Sequence, residues 1–165
     1  MYNVVFLRIS FAAQHITVAG LSTILMRYGG GVHNLTHSTV SLTHLLLQVL
    51  SSLREKRKPV IIDADGLYIT TKNLELIKGY DLAILTPNKN EFKRLADQLG
   101  VDFDPVKDAS NEDVLKRITS QLSGPLILRK GSADQVCDGQ SVWTNSEAGS
   151  KRRAGGQVNS WPRRL

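Results

Sequence analysis

Short apolar runs, each stopped by polar residues, set the rhythm of the chain. Pro59-Val60-Ile61-Ile62-Asp63 is a β-branched run without alternation, the pattern of a strand covered on both faces. Residues 81–86 repeat it and are stopped by Pro87-Asn88, and Pro125-Leu126-Ile127-Leu128 repeats it again. Between these runs the apolar spacing becomes helical. A short helix is expected at 74–77 within 70–78, ended by Gly79. A second covers 90–99, with Phe92, Leu95, Ala96 and Leu99 on one face and Gly100 closing it. A third, opened by Ser110 and Asp113 at capping-box spacing, runs through Leu122. Residues 134–137 and 141–144 then flank Asp138-Gly139, a strong hairpin signal.

The first third of the chain has a different texture. Residues 39–53 place Leu42, Leu45, Leu46, Val49, Leu50 and Leu53 at helical spacing, the stripe of a core-packing helix. Residues 9–26 carry no formal charge, but Ser10, Gln14, His15, Thr17, Ser22 and Thr23 break their apolar character. A membrane helix needs about 20 predominantly apolar residues, so no membrane association is expected. Arg8 lies inside the apolar stretch rather than before it, which opposes a secretory signal. An acid-free, Ser-containing start is closer to a mitochondrial presequence, and the expected compartment is cytoplasmic or mitochondrial. The plainer expectation is an atypical N-terminal segment over 1–54.

Alternating buried strands and helices imply an α/β fold, a parallel sheet with crossover helices and a small β-hairpin. Polar clusters follow the strands: Asp63-Ala64-Asp65-Gly66, Pro87-Asn88 and Lys130-Gly131. In an open α/β sheet the carboxyl edge is where ligands bind.

Charge and composition then narrow the function. The chain has 165 residues, enough for one domain with its own core. Its net charge of +6 is uneven: +3 over 1–54, −1 over 55–146 and +4 over 147–165. The excess sits at the ends rather than on a folded face, so no nucleic-acid partner is expected. Cys137 is the single cysteine and cannot form an internal disulfide. His15, His33, His37 and His44 lie in the acid-free first segment, where no carboxylate could complete or orient a metal site. No protein metal site is expected there.

Four pieces, in this order and spacing, resemble one enzyme family. They are Pro-Val-Ile-Ile-Asp-Ala-Asp-Gly-Leu at 59–67, Leu-Thr-Pro-Asn-Lys-Asn-Glu-Phe-Lys-Arg-Leu at 85–95, Leu-Arg-Lys-Gly-Ser-Ala-Asp at 128–134 and Arg-Arg-Ala-Gly-Gly-Gln at 152–157. The family is the C-terminal, ribokinase-like group of ATP-dependent NAD(P)H-hydrate dehydratases. The resemblance divides the chain into an atypical segment 1–54, a partial ribokinase-like domain 55–157 and a divergent basic tail 158–165.

What the resemblance implies is a lyase that repairs nicotinamide nucleotides, with ATP and its Mg2+ as cofactors and hydrated NADH or NADPH as substrate. It also implies a possible homo-oligomer. Asn88, Lys89, Asn90, Glu91, Phe92, Lys93 and Arg94 match the substrate-binding segment. Lys130, Gly131, Ser132, Ala133 and Asp134, with Gly155, Gly156 and Gln157, match the ATP-binding segments. The residues alone leave simpler roles open. Asn88 or Asn90 could only cap a helix, Glu91 and Arg94 could form a surface pair, and Lys-Gly is common at strand-to-turn junctions. Asp63 and Asp65 could face a metal-bound phosphate or cap the next helix.

The pattern departs from the family at its end. The family continues Gly-Gly-Gln-Gly-Asp, the Asp serving as base, whereas Gly155-Gly156-Gln157 here is followed by Val158-Asn159. An amide cannot take a hydroxyl proton as a carboxylate does. Pro162 opposes a regular helix beyond it, and the family's upstream Gly-Pro-Gly-Leu-Gly turn has no counterpart. The expectation is a truncated or variant form with no intact catalytic residue. Alternatives are a fragment of another ribokinase-like small-molecule kinase, or a non-catalytic partner of full-length subunits.

Overall fold

The computed structural model describes residues 5–10, 15–19, 24–27 and 42–147. Strands β1 (Val5–Ser10), β2 (His15–Ala19) and β3 (Ile24–Arg27) come first, followed by helix α1 (Leu42–Glu55). Next are β4 (Val60–Ala64), α2 (Asp65–Lys72), a single 3₁₀ turn (Leu74–Leu76) and β5 (Ala83–Leu85). Helices α3 (Lys89–Gln98) and α4 (Glu112–Leu122) precede β6 (Leu126–Arg129), β7 (Asp134–Cys137) and β8 (Val142–Asn145). All the described strands join one sheet in the order β3-β2-β1-β4-β5-β6-β7-β8.

The centre of that sheet is parallel. β4 pairs with β1 on one side and β5 on the other, and β5 pairs with β6, all parallel. The connections between them carry helices, as parallel pairing requires. The outer pairs, β1–β2, β2–β3, β6–β7 and β7–β8, are antiparallel. The fold class is therefore the expected α/β sheet with crossover helices and a hairpin. Three apolar runs became β4, β5 and β6, each within two residues of its expected start.

Three details differ from the sequence expectation. The helix after β4 begins at Asp65 rather than near residue 74, because Ala64 turns the chain sharply with φ 54 and ψ −127. Asn73 stops it, its side-chain amide donating to Ile69 O at 2.8 Å, and only a 3₁₀ turn follows. The cap of α4 is Asn111, whose Oδ1 accepts from Asp113 N at 3.1 Å and Val114 N at 3.4 Å, so Ser110 lies just outside. Finally, β1 extends the parallel sheet in a stretch that the apolar pattern left without strands, registering Val5 against Val60 and Ile9 against Ala64. His33 and His37 lie outside the described residues. Among the described residues no helix is long and apolar enough to cross a membrane.

The core is built from the facing sides of these elements. Leu46 and Leu50 of α1, Val60 and Ile62 of β4, Leu85 of β5, Ile127 of β6 and Leu115, Ile118 and Leu122 of α4 are all buried. One close backbone approach explains a glycine. A Cβ on Gly124 would lie 2.7 Å from both Gly79 C and Tyr80 N, where Gly79 N donates to Leu122 O at 2.8 Å. That contact closes the α4–β6 turn onto the segment before β5.

Phe92 anchors α3. It is fully buried, with the Phe103 ring edge-on at 4.9 Å and 84° and the Arg129 guanidinium 5.0 Å from its centroid. Arg129 is itself buried and donates to Asn111 O at 3.1 Å and to Gln135 Oε1. Burial lowers its pKa, opposed by Asp108, Cys137 and Glu112, but a guanidinium remains charged in proteins. Aromatic edge contact and cation–π attraction add to the burial of the ring. Phe92→Ala is expected to lower unfolding free energy by about 3–5 kcal/mol in urea titrations. A loss below about 1 kcal/mol would show that Phe92 is not the anchor of α3.

Candidate functional site

The carboxyl ends of β4, β5 and β6 converge on one carboxylate. Asp63, next to last in β4, is 4% exposed. Its Oδ1 accepts from Lys130 Nζ at 2.8 Å and from Thr86 Oγ1 at 2.9 Å. Thr86 follows β5 and extends the pairing by donating its backbone N–H to Ile62 O at 3.1 Å. Lys130 follows β6, and its backbone N–H donates to Pro87 O at 2.9 Å. A buried charge is tolerable only when paired and hydrogen-bonded, and Asp63 meets that condition through the ends of β5 and β6 at once. At the end of β6 adjacent residues divide their work by the period of a strand: Arg129 points into the core and Lys130, just beyond the strand, toward the edge pair.

Beside this pair, α3 begins with a complete capping box. Asn88 is extended, and its Oδ1 accepts from Asn90 N at 2.9 Å and Glu91 N at 3.0 Å. Glu91 Oε2 accepts from Asn88 N at 2.8 Å in return. Such reciprocal bonds satisfy two donors at a helix start. Partial burial raises the Glu91 pKa above the ordinary 4.5; the Asn88 N–H and the Lys130 ammonium draw it back, while the Asp63 carboxylate adds to the rise. Glu91 therefore senses both members of the edge pair.

The turn after β6 is tight. Gly131 N donates to Asp134 Oδ1 at 3.0 Å, and a Cβ on Gly131 would sit 3.0 Å from Ala133 O. The chain's own backbone thus favours a residue without a side chain there. Strain lies at the end of β4, at Ala64, a non-glycine residue with positive φ between Asp63 and Asp65. Residues held in such conformations cost on the order of 1–3 kcal/mol and cluster at functional sites.

The segment 88–94 divides among different environments. Asn88 and Glu91 build the cap beside the edge pair, Lys89 and Asn90 occupy the first helical turn, and Phe92 is in the core. Lys93 pairs with Asp97 at 2.9 Å. Arg94 turns toward α2, its guanidinium 5.9 Å from the Tyr68 ring centroid. Lys130, Gly131, Ser132 and Ala133 form the β6–β7 turn, and Asp134 opens β7. Gly155, Gly156, Gln157 and Asn159 lie outside the described residues. His44 is exposed on α1 and shares a 2.9 Å hydrogen bond with Gln48. Among the described residues no group of three or more His, Cys, Asp or Glu could hold a metal ion. Sequence reasoning gave Thr86 no role although it stands inside the 85–95 motif, and it missed the approach of Arg94 to Tyr68.

The raised Glu91 pKa carries a pH signature. A carboxyl whose folded pKa exceeds its unfolded pKa stabilises fully below the unfolded value and loses that contribution as pH rises through the folded one. Glu91→Gln removes the titration. Its stability relative to wild type is expected to improve as pH rises from about 4 through the raised Glu91 pKa. Urea unfolding of both proteins across that range checks this, and a constant difference would contradict it.

The chain is similar to several known proteins. The sequence profile described as NAD(P)H-hydrate dehydratase matches residues 38–158, most of the chain. An ATP-dependent (S)-NAD(P)H-hydrate dehydratase of Vitis vinifera is 40% identical over 110 residues, covering 67% of this chain and 30% of that protein. Its counterpart in Arabidopsis thaliana is 41% identical over 105 residues, covering 63% of this chain and 28% of that protein. That of Macaca mulatta is 38% identical over 109 residues, covering 66% and 28%. A solved ribokinase-like superfamily protein from Enterococcus faecalis V583 aligns with TM-score 0.48 and 16% identity over 67% of this chain and 37% of that one. The chain spans about 30% of the length of the curated relatives it matches. With a profile match over most of its length, the chain belongs to the NAD(P)H-hydrate dehydratase family.

Proposed function

We propose that this chain carries the nucleotide-binding edge of a ribokinase-like, ATP-dependent dehydratase that returns hydrated NADH or NADPH to the dihydropyridine form. The observation that supports this most is the convergence of Asp63, Thr86, Glu91 and Lys130 at the carboxyl ends of three parallel strands. Hydroxide is a poor leaving group, and ATP supplies the phosphoryl group that converts it into a better one. The protein's work is then to hold phosphate charge and orient two nucleotides.

Lys130 suits the first task. Its side chain is 19% exposed, reachable from outside yet held by Asp63. An ammonium fixed in this way meets an incoming phosphate without first being ordered. Gly131 and the turn to Asp134 would admit the phosphates to the backbone, with Gly155, Gly156 and Gln157 completing the ATP site. The Asn88–Glu91 cap would border the substrate. Mg2+ is commonly held by one or two carboxylates with phosphates and water; Asp63 and Glu91 are the carboxylates that would hold it here.

Asn159 favours a second reading for the chain as it stands. With an amide at the position of the family's base, it would bind nucleotide but act as a non-catalytic partner of full-length subunits. Under both readings the edge binds ATP. Calorimetry with Mg–ATP is expected to show binding that Lys130→Ala weakens about tenfold or more, as loss of a charge-assisted contact implies. Absence of ATP binding, or an affinity unchanged by Lys130→Ala, would overturn the assignment.

A further inference from the structure

We propose that the groove between α2 and α3 is a phosphate site, formed by Lys72 and Arg94, that recognises a phosphomonoester and so favours NADPH-type over NADH-type dinucleotides. The dinucleotide part of this inference rests on the function proposed above. The groove is a depression of about 290 Å³ whose walls include Tyr68, Thr71, Asp97 and Gln98. Tyr68 is 39% exposed. Lys72 Nζ sits 4.4 Å from its ring centroid, and the Arg94 guanidinium reaches the same ring from α3 at 5.9 Å.

The charge count in the groove is unbalanced. Among the described residues the ion pairs are Arg57–Asp81, Lys93–Asp97 and Lys130–Asp63, and neither Lys72 nor Arg94 enters one. Asp97, the carboxylate in the groove wall, is held by Lys93 at 2.9 and 3.2 Å. Two cations are thus gathered on one aromatic ring; Arg94 also feels the Glu91 carboxylate three residues before it, but neither cation is locked in an ion pair. The ring's negative face offsets part of their repulsion, and a bound anion would offset the rest. A guanidinium fork beside an ammonium matches the oxygens of a phosphate, the first by paired hydrogen bonds and the second as a point charge.

Size and placement point to a phosphate on a larger ligand. A depression of this volume lies just below the range of small-molecule pockets and is too small for a whole dinucleotide. It can hold a phosphate with its sugar. Arg94 lies six residues beyond the Asn88 cap, about 9 Å along the helix at 1.5 Å per residue. A dinucleotide bound at the strand ends can span that distance and place a second phosphate group in the groove.

The test is calorimetry of the whole chain with NADP+ and NAD+ at low ionic strength. NADP+ is expected to bind about tenfold more tightly, as a charge-assisted contact implies. Lys72→Ala or Arg94→Ala is expected to bring the ratio within about twofold, the loss falling on NADP+ rather than on NAD+. Lys72→Arg should retain the preference, and removing an exposed cation elsewhere, Lys107→Ala, should not alter it. Equal affinities in the wild type, a preference surviving both alanine variants, or no binding of either dinucleotide would overturn the inference. A Lys72-dependent response to inorganic phosphate without any NADP+ preference would overturn it too, leaving a free-phosphate site. ATP binding and its dependence on Lys130 judge the strand-end reading separately.

Discussion

The ion pair between Asp63 and Lys130 constrains everything at the carboxyl edge, because its members come from strands that are not neighbours. Asp63 belongs to β4 and Lys130 follows β6, with β5 between them. Their 2.8 Å contact therefore passes over the end of β5, and Thr86 joins it there with a 2.9 Å hydrogen bond. Taking a carboxylate and an ammonium out of water costs several kcal/mol per ion. That cost is offset only when partners are held in place, so the three strand ends must keep a fixed stagger. The hydrogen bond from Lys130 N to Pro87 O fixes the chain immediately before the cap of α3. The pair thus sets both the mouth of the proposed ATP site and the start of the segment proposed to meet the substrate.

Within the described family motifs, neighbouring residues serve different ends. Glu91 completes a cap beside the edge pair while Phe92 fills the core. Arg129 stacks on Phe92 and ties down Gln135 and Asn111, while Lys130 faces the edge. Arg94 leaves the strand ends altogether and shares the Tyr68 ring with Lys72. Motif residues are a mixture of groups at the sheet edge and the supports that hold them, and only burial and contact distances separate the two.

The same distinction explains what the sequence could and could not reveal. β4, β5 and β6 stood out because strands covered on both faces are uninterrupted apolar runs. The Asp138-Gly139 turn announced β7 and β8 through its own chemistry. The start of α2 was hidden because Asp-Ala-Asp-Gly reads as a loop, whereas one sharp turn at Ala64 launches the helix directly. The choice between Ser110 and Asn111 as cap was hidden because both residue types cap helices well. β1 lies in an apolar stretch that invites reading as a targeting segment rather than as a strand, and its place is set by pairing with β4, fifty-five residues away in register from Val5 to Val60. Lys130 and Asn88 were visible as polar residues at strand ends. The partners that fix them were not, since Asp63 and Lys130 are 67 residues apart.

The account stands on the Asp63–Lys130 pair being a strong, specific contact rather than an incidental proximity of two charges. A double-mutant cycle with Asp63→Asn, Lys130→Met and the combined variant, followed by urea unfolding, measures it directly. The account predicts a coupling energy of about 1–3 kcal/mol, the range for groups sharing one buried network. Additive effects, with coupling near zero, would contradict it and leave the three strand ends without their common tie.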